Sequence, residues 1–137
     1  MADSIREQIV AAFASRISAL RAAQLDGEME LPARTLWDPT ESSEMIRYGK
    51  VENTLTINVA EMAQRDHGID SSTQGNAMLA ALLEVALNSD QTLGGLAQRI
   101  DYVESTLDAP DPGQNEMIIL VTFQVIYRTT NTSPYTQ

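Results

Sequence analysis

The chain has 137 residues, of which 43% are hydrophobic, and it contains no cysteine. These values fit one domain with an ordinary core, and they exclude a disulfide framework, a thiolate nucleophile and a zinc–thiolate site. The net charge of −10, from 19 acidic and 9 basic residues, argues against nucleic-acid binding, which needs clustered Lys and Arg. No basic leader is visible, and the longest apolar run, residues 117–121, is too short for a membrane span. We therefore expect neither a signal segment nor a membrane partner.

The first predicted element is an amphipathic helix over residues 3–23. Ser4, with Glu7 three positions later, fits a capping box at its start. Apolar residues then recur at spacings of three and four along one face: Ile5, Ile9, Phe13, Ile17 and Leu20. This periodicity is typical of a helix that buries one side.

A short extended segment is predicted at residues 34–37, followed by a turn at residues 38–43. The turn is expected because a residue before proline, here Asp38 before Pro39, is disfavoured in a helix. Trp37, the only tryptophan, is expected to pack against the core. Residues 51–60 then predict a strand in which apolar and polar positions alternate cleanly, so that one face is solvated.

A second helix is predicted over residues 73–89, with Thr73 as its cap. Its apolar residues cover more than one face, so we expect it to be the central helix of the core. Residues 100–107 predict a strand with imperfect alternation, which indicates a bulge or an edge position. Turn-forming residues at 109–115 connect this strand to the next as a hairpin.

The last predicted strand, residues 116–128, is the strongest signal in the sequence. All its odd positions from Met117 to Tyr127 are apolar or aromatic, whereas its even positions are mixed. Its length of about 40 Å exceeds that of the usual strand. The excess is available to a neighbouring subunit. A polar segment follows at residues 129–135, and we expect a flexible tail from about residue 129.

The order of elements predicts an α+β fold of two layers, in one domain spanning residues 1–137. Helix, one or two strands, helix and two strands are typical of a mostly antiparallel sheet with two main helices packed on one face.

Catalytic and metal-binding patterns are weak throughout the chain. The only histidine, His67, follows Asp66, but adjacent residues in an extended loop usually point apart. Asp108 and Asp111 flank a proline and can be considered for a hard cation, although a turn of this kind is usually only solvated. We therefore expect no catalytic residue, no cofactor and no metal, and we interpret the chain as a protein that is not an enzyme.

Three segments together resemble the tail-terminator, or tail-completion, family of minor tail proteins from long-tailed bacteriophages and prophages. They are the amphipathic SIREQIVAAF at residues 4–13, the RTLWD segment at residues 34–38 before a polar-faced strand, and the final strand ending VIYRTT at residues 125–130, with SPY at residues 133–135. The resemblance implies a non-enzymatic sheet-and-helix protein that forms a ring, commonly a hexamer. Such a ring caps the finished tail tube and presents a surface for head attachment.

The resemblance also implies partners and a location. The partners are further copies of the chain, the tail-tube protein and head-completion proteins. The location is the bacterial cytoplasm during assembly and then the virion tail. Genomic DNA would pass through the ring, where an acidic lumen would repel it. Candidate residues for the subunit interface are Asp66, His67, Asp70, Gln124, Arg128 and Tyr135.

Three other readings of the sequence remain open. One is a different neck or connector component that joins head and tail. Another is a small-molecule-binding module or hydrolase with a two-layer fold, which predicts a closed apolar pocket with a few convergent polar groups. The last is a subunit of a contractile injection system, which shares ring formation.

Overall fold

The computed structural model describes residues 3–21, 33–108 and 115–137. Within these ranges it contains two helices, α1 (Ile5–Ile17) and α2 (Ser71–Leu87), and five strands. The strands are β1 (Leu20–Arg21), β2 (Ala33–Arg47), β3 (Lys50–Gln64), β4 (Arg99–Asp108) and β5 (Glu116–Thr130). They form one sheet in the order β1-β2-β3-β5-β4, antiparallel except for the short β1–β2 pair. The predicted α+β fold, with a mostly antiparallel sheet and two helices, is confirmed.

Helix α1 begins where the sequence predicts but ends six residues earlier. The Ser4 hydroxyl accepts a hydrogen bond from the Glu7 backbone N–H at 3.1 Å, which satisfies one free donor of the first turn. Ser18 ends the helix because it adopts a left-handed conformation with φ 55°. The prediction that the helix continues to residue 23 is therefore wrong, and Leu20 is an exposed residue of β1 rather than part of the apolar stripe.

The core lies between α1 and the central strands. Four of the five residues of the predicted stripe are buried, and the Phe13 ring packs edge-to-face on Phe123 with centroids 5.2 Å apart. The odd positions of β3 from Leu55 to Val59 and those of β5 from Met117 to Tyr127 are buried on the same face of the sheet. The period-two pattern thus correctly identified the side of each strand that meets the helices.

Strand β2 is much longer than predicted, because the expected turn at residues 38–43 is strand. Its pairing with β3 shifts between Trp37 and Thr40, where β2 holds one extra residue. Pro39 lies in this bulge, where a missing N–H interrupts no regular ladder bond. The extended backbone that proline imposes on Asp38 is equally compatible with a strand, so the turn prediction was wrong.

Strands β3 and β5 pair along their whole length, from Lys50 with Thr130 to Gln64 with Glu116. The predicted final strand is therefore confirmed, and it extends two residues further than expected. We expected part of this strand to be available to a neighbouring subunit. That expectation is wrong, because β3 of the same chain pairs with every residue of β5.

Helix α2 is more exposed than the sequence suggests. Its N-cap position is Asp70 rather than Thr73, and the Asp70 side chain makes no capping hydrogen bond. The buried residues of α2 are Gly75, Leu82 and Ala86. Gly75 lies so close to β4 that a Cβ atom there would be 3.2 Å from the Leu107 side chain. The prediction of a central core helix was wrong, because α2 packs only one of its sides against the sheet and leaves Val85 on another side exposed.

Strand β4 has both features inferred from its imperfect alternation. It lies at the edge of the sheet, and its register shifts between Tyr102 and Glu104. The shift brings Leu107 back to the side of the sheet that carries Ile100, where Leu107 packs against the core. The connection predicted at residues 109–115, including Asp111, lies outside the described residues except for Asn115.

The segment after β5 folds back against the start of α1. The Ile5 backbone N–H donates to the Pro134 carbonyl at 2.9 Å, and the Asn131 N–H donates to the Gly49 carbonyl at 3.1 Å. Residues 129 and 130 belong to β5 rather than to a tail. The flexibility expected of this segment stays a prediction.

Candidate functional site

The two faces of the sheet differ sharply in what covers them. The odd positions of β3 and β5 face the helices, so the even positions form a second face, which we call the open face. Among the described residues, no helix packs on it. Its residues are mostly half-buried or exposed, with Ile126 as a buried exception.

The open face contains a groove of about 270 Å³. The strand register aligns Trp37, Asn58, Thr122 and Glu104 in one row across the sheet, with Leu120 in the adjacent row. Trp37 is 36% exposed and Leu120 is 43% exposed, and both line this groove. The expectation that Trp37 packs in the core is therefore wrong.

A second exposed apolar surface lies at the turn between β2 and β3. We call residues 45–50 the hairpin tip. Gly49 makes the turn with φ 82°, a conformation that side chains other than glycine rarely adopt. Tyr48 is 99% exposed, Met45 is 59% exposed, and Ile46 is also exposed. Arg47 pairs in register with Lys50, the only lysine of the chain, so the tip is both apolar and positively charged.

A network of ion pairs and hydrogen bonds connects α1 to β2. The Arg6 guanidinium lies 3.0 Å from the Asp38 carboxylate and 3.7 Å from that of Glu41. Glu41 in turn accepts a hydrogen bond from the Tyr127 hydroxyl. Burial of Tyr127, together with this hydrogen bond, raises the pKa of the phenol well above its ordinary value. Tyr127 is thus a buried core residue that remains neutral, and not a surface contact.

A second ion pair connects the same layers close to the other end of α1. The Arg34 guanidinium binds the Glu61 carboxylate and also donates to the Ile17 carbonyl at 3.0 Å. Glu61 is only 5% exposed, so this is the most deeply buried carboxylate of the described residues. The pair fixes β2, β3 and the last turn of α1 relative to each other.

Asp90 organises the turn that follows α2. Its carboxylate accepts hydrogen bonds from the Thr92 hydroxyl at 2.5 Å and from the Thr92 and Gly94 backbone N–H groups at 2.9 Å. These bonds, the Thr92 hydroxyl first, lower the pKa of Asp90 to about 2. Both carboxylate oxygens accept hydrogen bonds from the turn, so Asp90 stabilises the turn locally.

Three of the predicted interface residues lie in the loop between β3 and α2. Asp66 accepts a hydrogen bond from the Gly68 N–H at 2.9 Å, and Asp70 precedes α2 without a capping bond from its side chain. The His67 Nε2 atom is 3.3 Å from the Asn115 amide oxygen. Asp66 and His67 therefore have separate partners and do not form a catalytic pair with each other.

The other three predicted residues lie elsewhere. Gln124 is on the open face, and Tyr135 is exposed in the segment after β5. Arg128 lies beside Glu52, with Nε 3.3 Å from the carboxylate. Since Glu52 is twelve residues along β3 from the start of the β3–α2 loop, Arg128 and that loop are roughly 40 Å apart. The structure does not bring the six residues together.

Within residues 3–21, 33–108 and 115–137, no cluster of three or more His, Asp or Glu side chains is suited to a metal ion. Asp101 pairs with Arg99 at 3.1 Å, while the Asp108 side chain and Asp111 lie outside the described residues. No helix in the described part of the chain is long and apolar enough to cross a membrane.

The sequence reasoning missed the exposed apolar residues of the groove and the hairpin tip. For the tip, a signal was present: Gly49 lies between two segments that both contain β-branched and apolar residues, which is typical of a hairpin. For Leu120 the signal was its even position in the last strand, on the side opposite the apolar odd positions. For Trp37 no signal was available, because the side on which it lies depends on the extra residue in β2 and on which face the helices cover. Neither a scan against models of protein families nor a search of curated proteins finds a match to this chain. Its function is therefore inferred from the surfaces described above.

Proposed function

We propose that this protein is a structural subunit of a bacteriophage or prophage tail, which caps the tail tube as a ring and takes part in head–tail joining. The observation that carries the proposal is the hairpin tip, where Tyr48, Met45 and Ile46 are exposed to solvent. Exposed apolar side chains in a group are typical of a surface that contacts another macromolecule. The resemblance of the sequence to tail-terminator proteins supplies the type of assembly.

The arrangement of the surfaces favours a ring over a symmetric dimer. The groove on the open face and the hairpin tip differ in shape and charge, and they lie at different places along the same strands. A subunit with two unlike contact surfaces associates head to tail, which gives a ring when the rotation closes. This geometry is compatible with the proposed cap.

The negative charge has a role within the same proposal. A ring through which DNA passes would benefit from a lumen that repels phosphate, and the net charge is −10. Glu44 and Glu52 are on the open face, outside the groove. If that part of the open face lines the lumen, these carboxylates face the DNA. An assembled ring with its acids on the outer rim would contradict this part.

The test is the mass of the protein in solution, measured by light scattering at low and high concentration, with and without magnesium. A discrete closed oligomer that appears as a ring with a central opening in electron micrographs is expected. To distinguish a cap from another neck component, the protein is added to its tail-tube protein during polymerisation. A cap stops elongation, so tubes become shorter as its concentration rises. A connector that does not bind tubes leaves their length unchanged and would refute the terminator role.

One observation favours a second candidate, a small-molecule-binding module. A cleft of about 490 Å³ lies between the start of α1 and the end of β5, and it is lined by Arg6, Ser43, Asn53, Tyr127 and Thr129 among others. Its volume is that of a ligand pocket, but most of its lining residues are polar, and Asn53 and Thr129 already bond to each other at 3.0 Å. A thermal-shift screen of metabolites tests it, with Asn53→Leu as the variant that should abolish any shift.

A further inference from the structure

The hairpin tip has the composition of an anchor that is inserted into another surface. Tyr48 is at the apex with 99% of its surface exposed, and Met45 and Ile46 flank it. Arg47 and Lys50 lie at its base, and neither makes an ion pair with the described residues. Aromatic side chains with a polar end, accompanied by Arg, are the residues that dominate binding energy at interfaces.

The groove on the open face has the complementary composition. Trp37 and Leu120 supply two exposed apolar walls, and Asn58 and Thr122 form a polar floor. Glu104 is at the rim, is exposed, and makes no ion pair with the described residues. A groove of about 270 Å³ accepts one large side chain. An aromatic ring between Trp37 and Leu120 would remove all three apolar surfaces from water.

The tip cannot reach the groove of its own chain. Trp37 and Tyr48 lie on the same strand and turn, eleven positions apart, which corresponds to roughly 35 Å of extended backbone. Continuous pairing with β3 prevents β2 from folding back over that distance. A contact between tip and groove therefore has to join two copies.

We propose that the hairpin tip of one copy docks in the open-face groove of a second copy, with Tyr48 between Trp37 and Leu120 and the tip cations next to Glu104. The inference rests on the proposed function, because it names the contact that would join neighbouring subunits. The contact is heterologous, since every copy offers one tip and one groove. A single tip in a single groove is a small interface, so association between two copies is weak and ring closure adds to it.

Crosslinking tests the contact directly, because the chain has no cysteine of its own. Two singly substituted proteins, Ile46→Cys and Thr106→Cys, are mixed at high concentration with a short bifunctional maleimide. Ile46 is at the tip and Thr106 lines the groove beside Leu120, so Tyr48, Trp37 and Leu120 stay intact. Both positions are exposed, so both proteins should fold. The matched control replaces Thr106→Cys with Val85→Cys, an exposed position on α2. We expect a heterodimer band from the first mixture and several-fold less from the control.

A second measurement uses affinity. Tyr48→Ala should weaken self-association by roughly 30-fold, the loss expected of a hot spot, and Val85→Ala should leave it unchanged. Lys50→Glu should also weaken association, and combining it with Glu104→Lys should restore part of it. Circular dichroism spectra of all variants should match that of the original protein.

Three other outcomes would contradict the proposed contact, and one of them would also contradict the proposed ring. Crosslinking of Ile46→Cys only to itself would indicate a symmetric contact between tips and would overturn the inference. Oligomers that form without a crosslink between tip and groove, and with full affinity in Tyr48→Ala, would overturn the inference but leave the proposed ring intact. A protein that remains monomeric at every concentration, with no crosslink, would overturn both.

Discussion

Breaking the buried ion pair between Arg34 and Glu61 is expected to be far more costly than breaking an exposed one. Glu61 is 5% exposed, so removing Arg34 leaves a carboxylate with little access to water. Loss of one partner from a fully buried pair costs about 3–5 kcal/mol. The Arg34 side chain is about a quarter exposed, which places the expected cost at the lower end, about 3 kcal/mol. For a chain of this length, that lowers Tm by about 10 °C.

The assay is urea unfolding at pH 7, followed by circular dichroism, of Arg34→Met, Glu61→Leu and the double variant. Each single substitution should lose about 3 kcal/mol, whereas the double variant should lose only about 1 kcal/mol, mainly the hydrogen bond to the Ile17 carbonyl. The matched control is the exposed pair Arg128 and Glu52, whose loss should cost at most about 0.5 kcal/mol. Additive losses in the double variant, or single losses as small as in the control, would refute the reasoning.

Four further predictions concern stability and its dependence on pH. Phe13→Ala should lower the free energy of unfolding by about 4 kcal/mol in urea titrations, because the ring is fully buried; a loss below 1 kcal/mol would contradict its place in the core. Ser18→Gly should raise it by about 0.5–1 kcal/mol, since Ser18 has φ 55°, and a loss on substitution would show that its side chain matters. Two of these predictions concern the pH dependence of stability: the contribution of Asp90 is lost at low pH, and that of Tyr127 is lost at high pH. Asp90 has a pKa lowered to about 2, so its contribution is present above about pH 4 and is lost as the pH falls through 2; NMR titration should show Thr92→Val moving this pKa upward. Tyr127 has a raised pKa, so its contribution is present below pH 10 and is lost as the pH rises further; ultraviolet titration should show one of the four tyrosines resisting ionisation, and Tyr127→Phe should remove that one.

The strands with clean alternation could be predicted from the sequence because their apolar side chains recur at every second position, on the side of the strand that is buried. In β3 and β5 buried apolar residues alternate with exposed or half-buried residues, except at the buried Ile126, and the structure places the two sides as expected. The start of α1 could also be predicted from the sequence, since the Ser4 cap is a local interaction. Local chemistry and periodicity are sufficient where an element has one buried side.

The failures arose where local signals are ambiguous. Pro39 was interpreted as a turn, but a proline in a bulge fits a strand when the partner strand is long enough to continue beyond it. Ser18 ends α1 by a left-handed conformation that any short polar residue can adopt, so no sequence pattern marked it. The many apolar residues of α2 suggested burial on two sides, yet Val85 is exposed. Whether a further layer of the protein covers the outer side of a helix depends on the whole fold, and the residues of the helix alone do not determine it.

The candidate surfaces were the least predictable feature. The predicted interface residues are scattered over the β3–α2 loop, β5 and the segment after it, and only Gln124 and Arg128 are on the open face. The exposed apolar residues are at the hairpin tip and in the open-face groove. Exposure of Trp37 follows from the extra residue in β2 and from the helices covering the other side. Neither fact can be read from the residues around it.

The central pairing of the sheet has a consequence for the order in which the protein folds. Strands β2 and β3 are joined by a tight turn, so their hairpin can form within microseconds. In contrast, β3 meets β5 only after the chain between Gln64 and Glu116 has been closed into a loop, and the helix α2 and strand β4 lie within that loop. Closing such a long loop makes the completion of the sheet slow. Until residues 116–130 have been synthesised, one edge of β3 has no partner, and during that interval the nascent chain is most exposed to aggregation through this edge.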